Sequence, residues 1–126
     1  MSLIFLGDIM GHGGQIEAAH DPVNQSYNYR DVFSNLSKII AEPDFAIANL
    51  EVTLAGEPFS GYPQFSSPDA LAKACKNSGI DVLVTANNHT CDRGGKGITR
   101  TIEVLDRMNI PHNGSYKNKN DRALRN

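Results

Sequence analysis

The chain has 126 residues, 40% hydrophobic and 21% charged, with 12 Lys and Arg against 14 Asp and Glu for a formal net charge of −2. That length fits one domain burying roughly 65% of its unfolded surface, and the composition excludes intrinsic disorder as the main state. No apolar run approaches the roughly 18 residues of a membrane span, and the near-neutral charge gives no electrostatic reason to expect a nucleic-acid partner.

The first predicted element is the strand Leu3-Ile4-Phe5-Leu6-Gly7, which stops at Asp8. Apolar, strand-like sequence from the third residue, with no basic leader segment before it, reads as a mature or expressed form rather than as a signal peptide. A glycine-rich stretch, 11–14, follows. Val32, Phe33, Leu36, Ile39 and Ile40 then recur at helical spacing and predict one helix with a single buried face.

A second strand is predicted over 44–50, stopping at Glu51. Residues 52–66, rich in Gly, Pro and aromatics, read as a structured functional loop. Ser67 then reads as an N-cap and Pro68 as a first-turn proline. Leu71, Ala74 and Cys75 face inward, and Gly79 suits the left-handed position past the helix end. A third strand over 81–86 stops at Asn87-Asn88-His89. The last helix carries Ile98, Ile102, Leu105 and Met108 inward and ends near Asn109. Ile110-Pro111-His112 begins a short fourth strand, the proline placing it at a strand start or at an edge. Residues 117–126 read as a frayed polar tail.

The order β-α-β-α-β-α-(β), with continuous rather than alternating apolar strands, predicts an α/β fold. Its sheet is mainly parallel, with strands buried on both faces. Cys75 and Cys91 form no Cys-x-x-Cys pair and no disulfide framework.

Each strand thus ends in a metal-competent group: Asp8, Glu51, then Asn88 and His89. In open α/β sheets the ligand crevice lies beyond the carboxyl ends of the strands, so three parallel neighbours bring these groups to one edge. Two carboxylates, an amide oxygen and an imidazole suit a divalent ion such as Mn, Zn or Fe. Taken singly, an Asp at a strand end is more often a turn former or a helix cap.

The strings Phe5-Leu6-Gly7-Asp8-Ile9-Met10-Gly11-His12, Ala48-Asn49-Leu50-Glu51 and Ala86-Asn87-Asn88-His89-Thr90-Cys91-Asp92-Arg93-Gly94 occur in that order. Together with Phe65-Ser66-Ser67-Pro68 through Gly79-Ile80-Asp81, they resemble the poly-γ-glutamate capsule-biosynthesis (CapA) family. That family is a branch of the calcineurin-like metallophosphatases. The resemblance spans residues 3 to 116. It implies one metallophosphatase-like domain over 1–116, the N-terminal portion of a larger four-layer αββα fold, with a site for two metal ions at the strand ends.

Carried over by motif, Asp8 matches a metal-binding aspartate. Asn88 matches the amide ligand of the Asn-His motif, and His89 matches its phosphate-contacting general acid. Glu51 takes the place of a bridging carboxylate, with Asn49 as the alternative. The family pattern Asp-x-His is departed from at Asp8-Ile9-Met10, which leaves His12 either a metal ligand or a surface residue. Asp92 either orients His89 or caps the helix before Gly94.

The implied substrate is a phosphoester or a polymer-related small molecule, and the implied location is the cell envelope. The superfamily's further metal histidines follow these motifs, so a chain ending at Asn126 is expected to hold half a site, hydrolyse little and self-associate through exposed sheet surface. The alternatives are a non-catalytic accessory for synthesis or export of an acidic capsular polymer, and a Rossmann-like small-ligand module. The last lacks motif support, since neither Gly-x-Gly-x-x-Gly nor a P-loop is present. Tyr27, Tyr29 and Arg30 remain as residues able to contact a substrate or simply to line a loop.

Overall fold

A computed structural model describes residues 1–125. Its centre is a four-stranded parallel sheet in the order β1 (Leu3–Ile9), β4 (Phe45–Leu50), β5 (Val82–Val84), β6 (His112–Asn113). Between β1 and β4 lie α1 (Gly13–Ala19), a small antiparallel hairpin of β2 (His20–Asp21) and β3 (Ser26–Tyr27), a 3-10 turn (Arg30–Phe33) and α2 (Ser37–Ala41). The other crossovers are α3 (Ala70–Asn77) and α4 (Gly94–Arg107), and α5 (Lys119–Arg125) follows β6. The α/β class and the parallel sheet are as the sequence predicts.

Spatial order equals chain order across this sheet. Right-handed crossovers then return over the same face every time, so one face collects the helices. Ala46, Ala48, Leu50 and Leu83 point into that layer and are 1% exposed or less, packed with Phe65, Leu71, Val104 and Leu105. Leu3, Phe5 and Phe45 point the other way and are 45%, 71% and 39% exposed. The register sets Leu3 beside Phe45, and Phe5 beside Ile47 beside Val82. The expectation of strands buried on both faces is therefore corrected: both faces are apolar, and the described residues cover one.

The predicted helix over 32–40 breaks into the 3-10 turn and the five-residue α2. Phe33 and Ile40 remain buried, but Val32, Leu36 and Ile39 are exposed. Hydroxyls cause the break. Ser34 Oγ donates to the Asp31 carbonyl (2.8 Å) and Ser37 Oγ to that of Ser34 (3.2 Å), local bonds that compete with a continuous ladder.

Ser67 does not cap α3: the helix begins at Ala70, two residues beyond the N1 position that such a cap requires, and the Ser67 hydroxyl is buried against Gly11 without a hydrogen-bond partner among the described residues. Asp69 precedes the helix instead. The predicted stop holds. Gly79 sits at φ +100°, and Ile80 N–H reaches back to the Cys75 carbonyl at 3.2 Å, the six-to-one bond of a Schellman end. Asn109, at φ 52°, closes α4 in the same way through Ile110 N–H and the Leu105 carbonyl at 2.9 Å.

The frayed tail is also corrected. Residues 119–125 form α5, and Arg125 bridges Asp106 (2.7 and 3.1 Å) and Asp121 (2.8 Å), fastening α5 to α4. Composition missed this because the stabilising partners lie on another element. No helix among the described residues is long and apolar enough to cross a membrane.

Candidate functional site

Asp8 is the penultimate residue of β1 rather than a residue beyond its end, and a bulge decides where it faces. Phe5 pairs with Ile47, yet Asp8 pairs with Asn49, so two residues of β1 (Leu6 and Gly7) oppose one of β4. Without the extra residue, alternation would turn Asp8 into the helical layer. With it, Asp8 shares the open face with Asn49, and Ile9 falls in beside Leu50 on the core side. A carboxylate that would have needed burial thus reaches solvent at the carboxyl rim of the open face.

Asn49 ties the rim together. Its Nδ2 donates to Asp8 Oδ1 at 2.8 Å and to Glu51 Oε2 at 2.9 Å, holding the two carboxylates about one amide. Its Oδ1 accepts from Asn87 Nδ2 at 3.0 Å, and the same Nδ2 donates to the Leu50 carbonyl at 2.9 Å. Asn87 Oδ1 in turn accepts the His89 N–H at 3.0 Å. One chain of amide bonds therefore runs from Asp8 and Glu51 across β4 to the loop after β5.

His89 is oriented by Asp92. Its Nδ1 lies 2.8 Å from Asp92 Oδ2, which also accepts the Phe65 N–H at 2.7 Å. A carboxylate oxygen accepts, so Nδ1 carries the proton and Nε2 is left to face the site. Of the two sequence readings of Asp92, the contact with His89 is present, and the residue before α4 is Arg93. The fully buried Phe65 meets the His89 ring edge-to-face at 4.6 Å and the His12 ring at 5.1 Å.

Phe65 ends the 52–66 loop, which is structured as predicted. Thr53 Oγ1 donates to the Phe65 carbonyl (2.6 Å), and Arg93 reaches the Pro58 carbonyl (2.9 Å) and Ser60 Oγ (2.7 Å). The Glu57–Pro58 and Tyr62–Pro63 peptides are cis.

The electrostatics are unbalanced. Partial burial, then the shared hydrogen bond and repulsion from Asp8, raise the Glu51 carboxyl above the ordinary range; His89 and Asn49 oppose this. No Lys or Arg pairs with either carboxylate among the described residues. Two converging carboxylates, amide oxygens and an imidazole are a fitting donor set for a hard or borderline divalent cation. The set is short, however: among the described residues no three His, Cys, Asp or Glu side chains gather around one point.

Of the residues predicted from sequence, Asp8, Asn49 and Glu51 are brought together, with His89 and Asp92 joined to them through Asn87. Asn88 is exposed, and its side chain makes no hydrogen bond among the described residues. His12 lies at the start of α1, and its ring touches Phe65 rather than the carboxylates. Sequence reasoning missed Asn87 and Phe65. The doubled asparagine was the available signal for the first; nothing local marked the second.

The sequence pattern of the family described as "Bacterial capsule synthesis protein PGA_cap" matches residues 2–124. "Capsule biosynthesis protein CapA" of Bacillus anthracis is 27% identical over 127 aligned positions, covering 96% of this chain and 30% of that protein. Two proteins of Sinorhizobium fredii, "Uncharacterized protein y4sH" and "Uncharacterized protein y4uA", are each 29% identical over 91 positions, covering 65% of this chain and 20% of their own length. The chain thus spans less than a third of the curated relatives it matches.

Proposed function

Since the chain belongs to the bacterial capsule synthesis family PGA_cap, we propose that it is a metal-dependent phosphoesterase-type domain acting in the making of a capsular polymer. The observation that carries this reading is the convergence of Asp8, Asn49 and Glu51 with the Asn87–His89–Asp92 chain at one sheet rim. Asp8 and Glu51 would hold the cation or cation pair (Mn, Zn or Fe), with Asn88 as the amide donor; Asn49, which turns its Nδ2 to both carboxylates and its oxygen to Asn87, would have to rotate its amide to join them. When bound, such ions neutralise phosphate oxygens and lower the pKa of water.

The residues of the chain do the rest. Asp92 keeps the His89 proton on Nδ1 and steadies the imidazolium. His89 Nε2 in its protonated form is then placed to give a proton to a departing alkoxide. Asn87 fixes the amide of Asn49, so the two carboxylates keep their spacing. The phosphoester substrate is polymer-related, and the working place is the cell envelope.

The open face bears on completeness. Asp8 and Asn49 lie directly beyond the apolar row Phe5, Ile47 and Val82 on the same side of the sheet. Whatever covers that row also borders the carboxylates and is positioned to supply the donors these residues lack. Self-association through that row is the form this takes when only these residues are present.

The test is manganese uptake by the protein containing this chain, measured by equilibrium dialysis, with aryl-phosphate hydrolysis alongside. Stoichiometric uptake lost in Asp8→Asn, and hydrolysis lost in His89→Ala with uptake kept, are the expected results. Absence of stoichiometric uptake removes the reading. The second reading, a non-catalytic accessory for synthesis or export of an acidic polymer, draws on the shortness of the donor set. It is favoured if Asp8→Ala and His89→Ala leave polymer production intact in cells.

A further inference from the structure

On the helical side of the sheet, away from the carboxylate rim, lies a cavity of about 490 Å³ between the 3-10 turn with the start of α2 and the length of α3. That volume falls within the range of small-molecule sites. No residue of the Asp8–Asn49–Glu51–Asn87–His89 group lines it.

Three observations describe its chemistry. Arg30 and Lys73 both line the cavity, one from each wall, and neither side chain makes a hydrogen bond or ion pair among the described residues. A single carboxylate, Asp31, is present against these two cations, and the other polar lining is neutral, Asn77 included. Tyr29, also in the wall, is only 3% exposed and belongs to the core cluster, so that wall is fixed by packing.

Two uncommitted cations facing one concavity are kept apart by mutual repulsion unless an anion lies between them. An oxyanion satisfies both, and Arg30 offers the planar fork that suits carboxylate and phosphate alike. Phe33, at the cavity wall, gives the organic part of such a ligand an apolar contact.

We propose that this cavity is a binding site for a small organic oxyanion, a carboxylate or phosphate ester seated between Arg30 and Lys73. The site is separate from the metal-competent rim, and the proposal stands whether or not that rim hydrolyses anything.

Isothermal titration with diglutamate and with glycerol 3-phosphate distinguishes the two sources of the oxyanion, with glycerol as the neutral control. Saturable binding of at least one acidic probe is expected, weakened by about tenfold or more in the Arg30→Gln/Lys73→Gln double variant. Arg30 and Lys73 are exposed, so the double variant keeps its fold, which circular dichroism checks. Manganese uptake stays unchanged in the double variant, which separates this test from that of the rim. No saturable binding of either acid, equal binding of glycerol, or an undiminished affinity in the double variant overturns the proposal.

Discussion

Ala46 and Ala48 alternate along β4 with Phe45 and Ile47, and the two pairs meet different worlds. The alanines lie under the helices and are 1% exposed, whereas Phe45, facing away, is 39% exposed and continues into Leu3 and Phe5 on β1. The same strands therefore present a finished core on one side and an uncovered apolar face on the other. Asp8 and Asn49 are on the uncovered side, and His89 joins them from the rim, where it rests on Phe65 of the covered layer. A covered face closed by Leu71, Val104 and Leu105 leaves no room for a pair of ionised carboxylates, whose burial without a partner is costly. The open face allows Asp8 and Glu51 to stay beside water while Asn49 holds their spacing.

The sharpest way to break this comparison is to truncate one large apolar side chain on each face, the larger truncation being made on the open one. Leu83→Ala, on the helical side and fully buried, is expected to lose about 2–5 kcal/mol in urea unfolding. Phe5→Ala, 71% exposed, is expected to stay within about 0.5 kcal/mol of the parent in the same measurement. Equal losses would mean that the two faces are equally covered in solution.

Phe5→Asp then asks what the open face does. Sedimentation velocity is expected to show self-association of the parent falling to monomer in this variant, since a charge placed in an apolar contact loses its hydration. A monomeric parent would show that the face does not pair with itself.

At the rim the expected change is smaller and of opposite sign. Glu51 is held above its ordinary pKa, so at neutral pH its ionised form opposes folding, and that opposition fades as pH falls through the raised value. Glu51→Gln is therefore expected to raise the melting temperature of metal-free protein at pH 7 and to abolish manganese uptake. A lowered melting temperature would show that Glu51 is not strained by Asp8.

The smallest effect belongs to α5. Asp106 is held below the usual aspartate range first by its hydrogen bond to Arg125, then by that residue's charge, with His112 and Lys117 adding to it. A depressed carboxylate stabilises the fold above the unfolded value of about 3.9 and loses that contribution as pH falls below it. Asp106→Asn should thus flatten the acid arm of the stability curve slightly; an unchanged arm would mean that α5 is not fastened there.

How far the sequence was legible follows the reach of the forces involved. Gly79 and Asn109 marked two helix ends correctly because a left-handed residue is a local requirement of the chain. Leu71, Cys75, Ile102 and Leu105 were legible as core through their spacing. The helix over 32–40 was misread because serine hydroxyls compete with the ladder, which apolar spacing does not register. Ser67 was misread because its hydroxyl is buried against Gly11, far away in the sequence, and the helix starts two residues later than the cap would place it.

By itself, then, the sequence determined the element order, the parallel class, the inward stripes of α3 and α4, and the presence of carboxylate, amide and imidazole groups near strand ends. These follow from backbone propensity and from periodicity along a few turns. Only the tertiary structure decided that one extra residue in β1 turns Asp8 to the open face, that Asn87 rather than its neighbour carries the hydrogen-bond chain to His89, and that Phe65 stands between two imidazoles. It also decided that residues 119–125 form a helix fastened to α4 through Arg125 and Asp106. Each of these depends on pairing between segments far apart in the chain, where register and crossover handedness, not local preference, set which side chains meet.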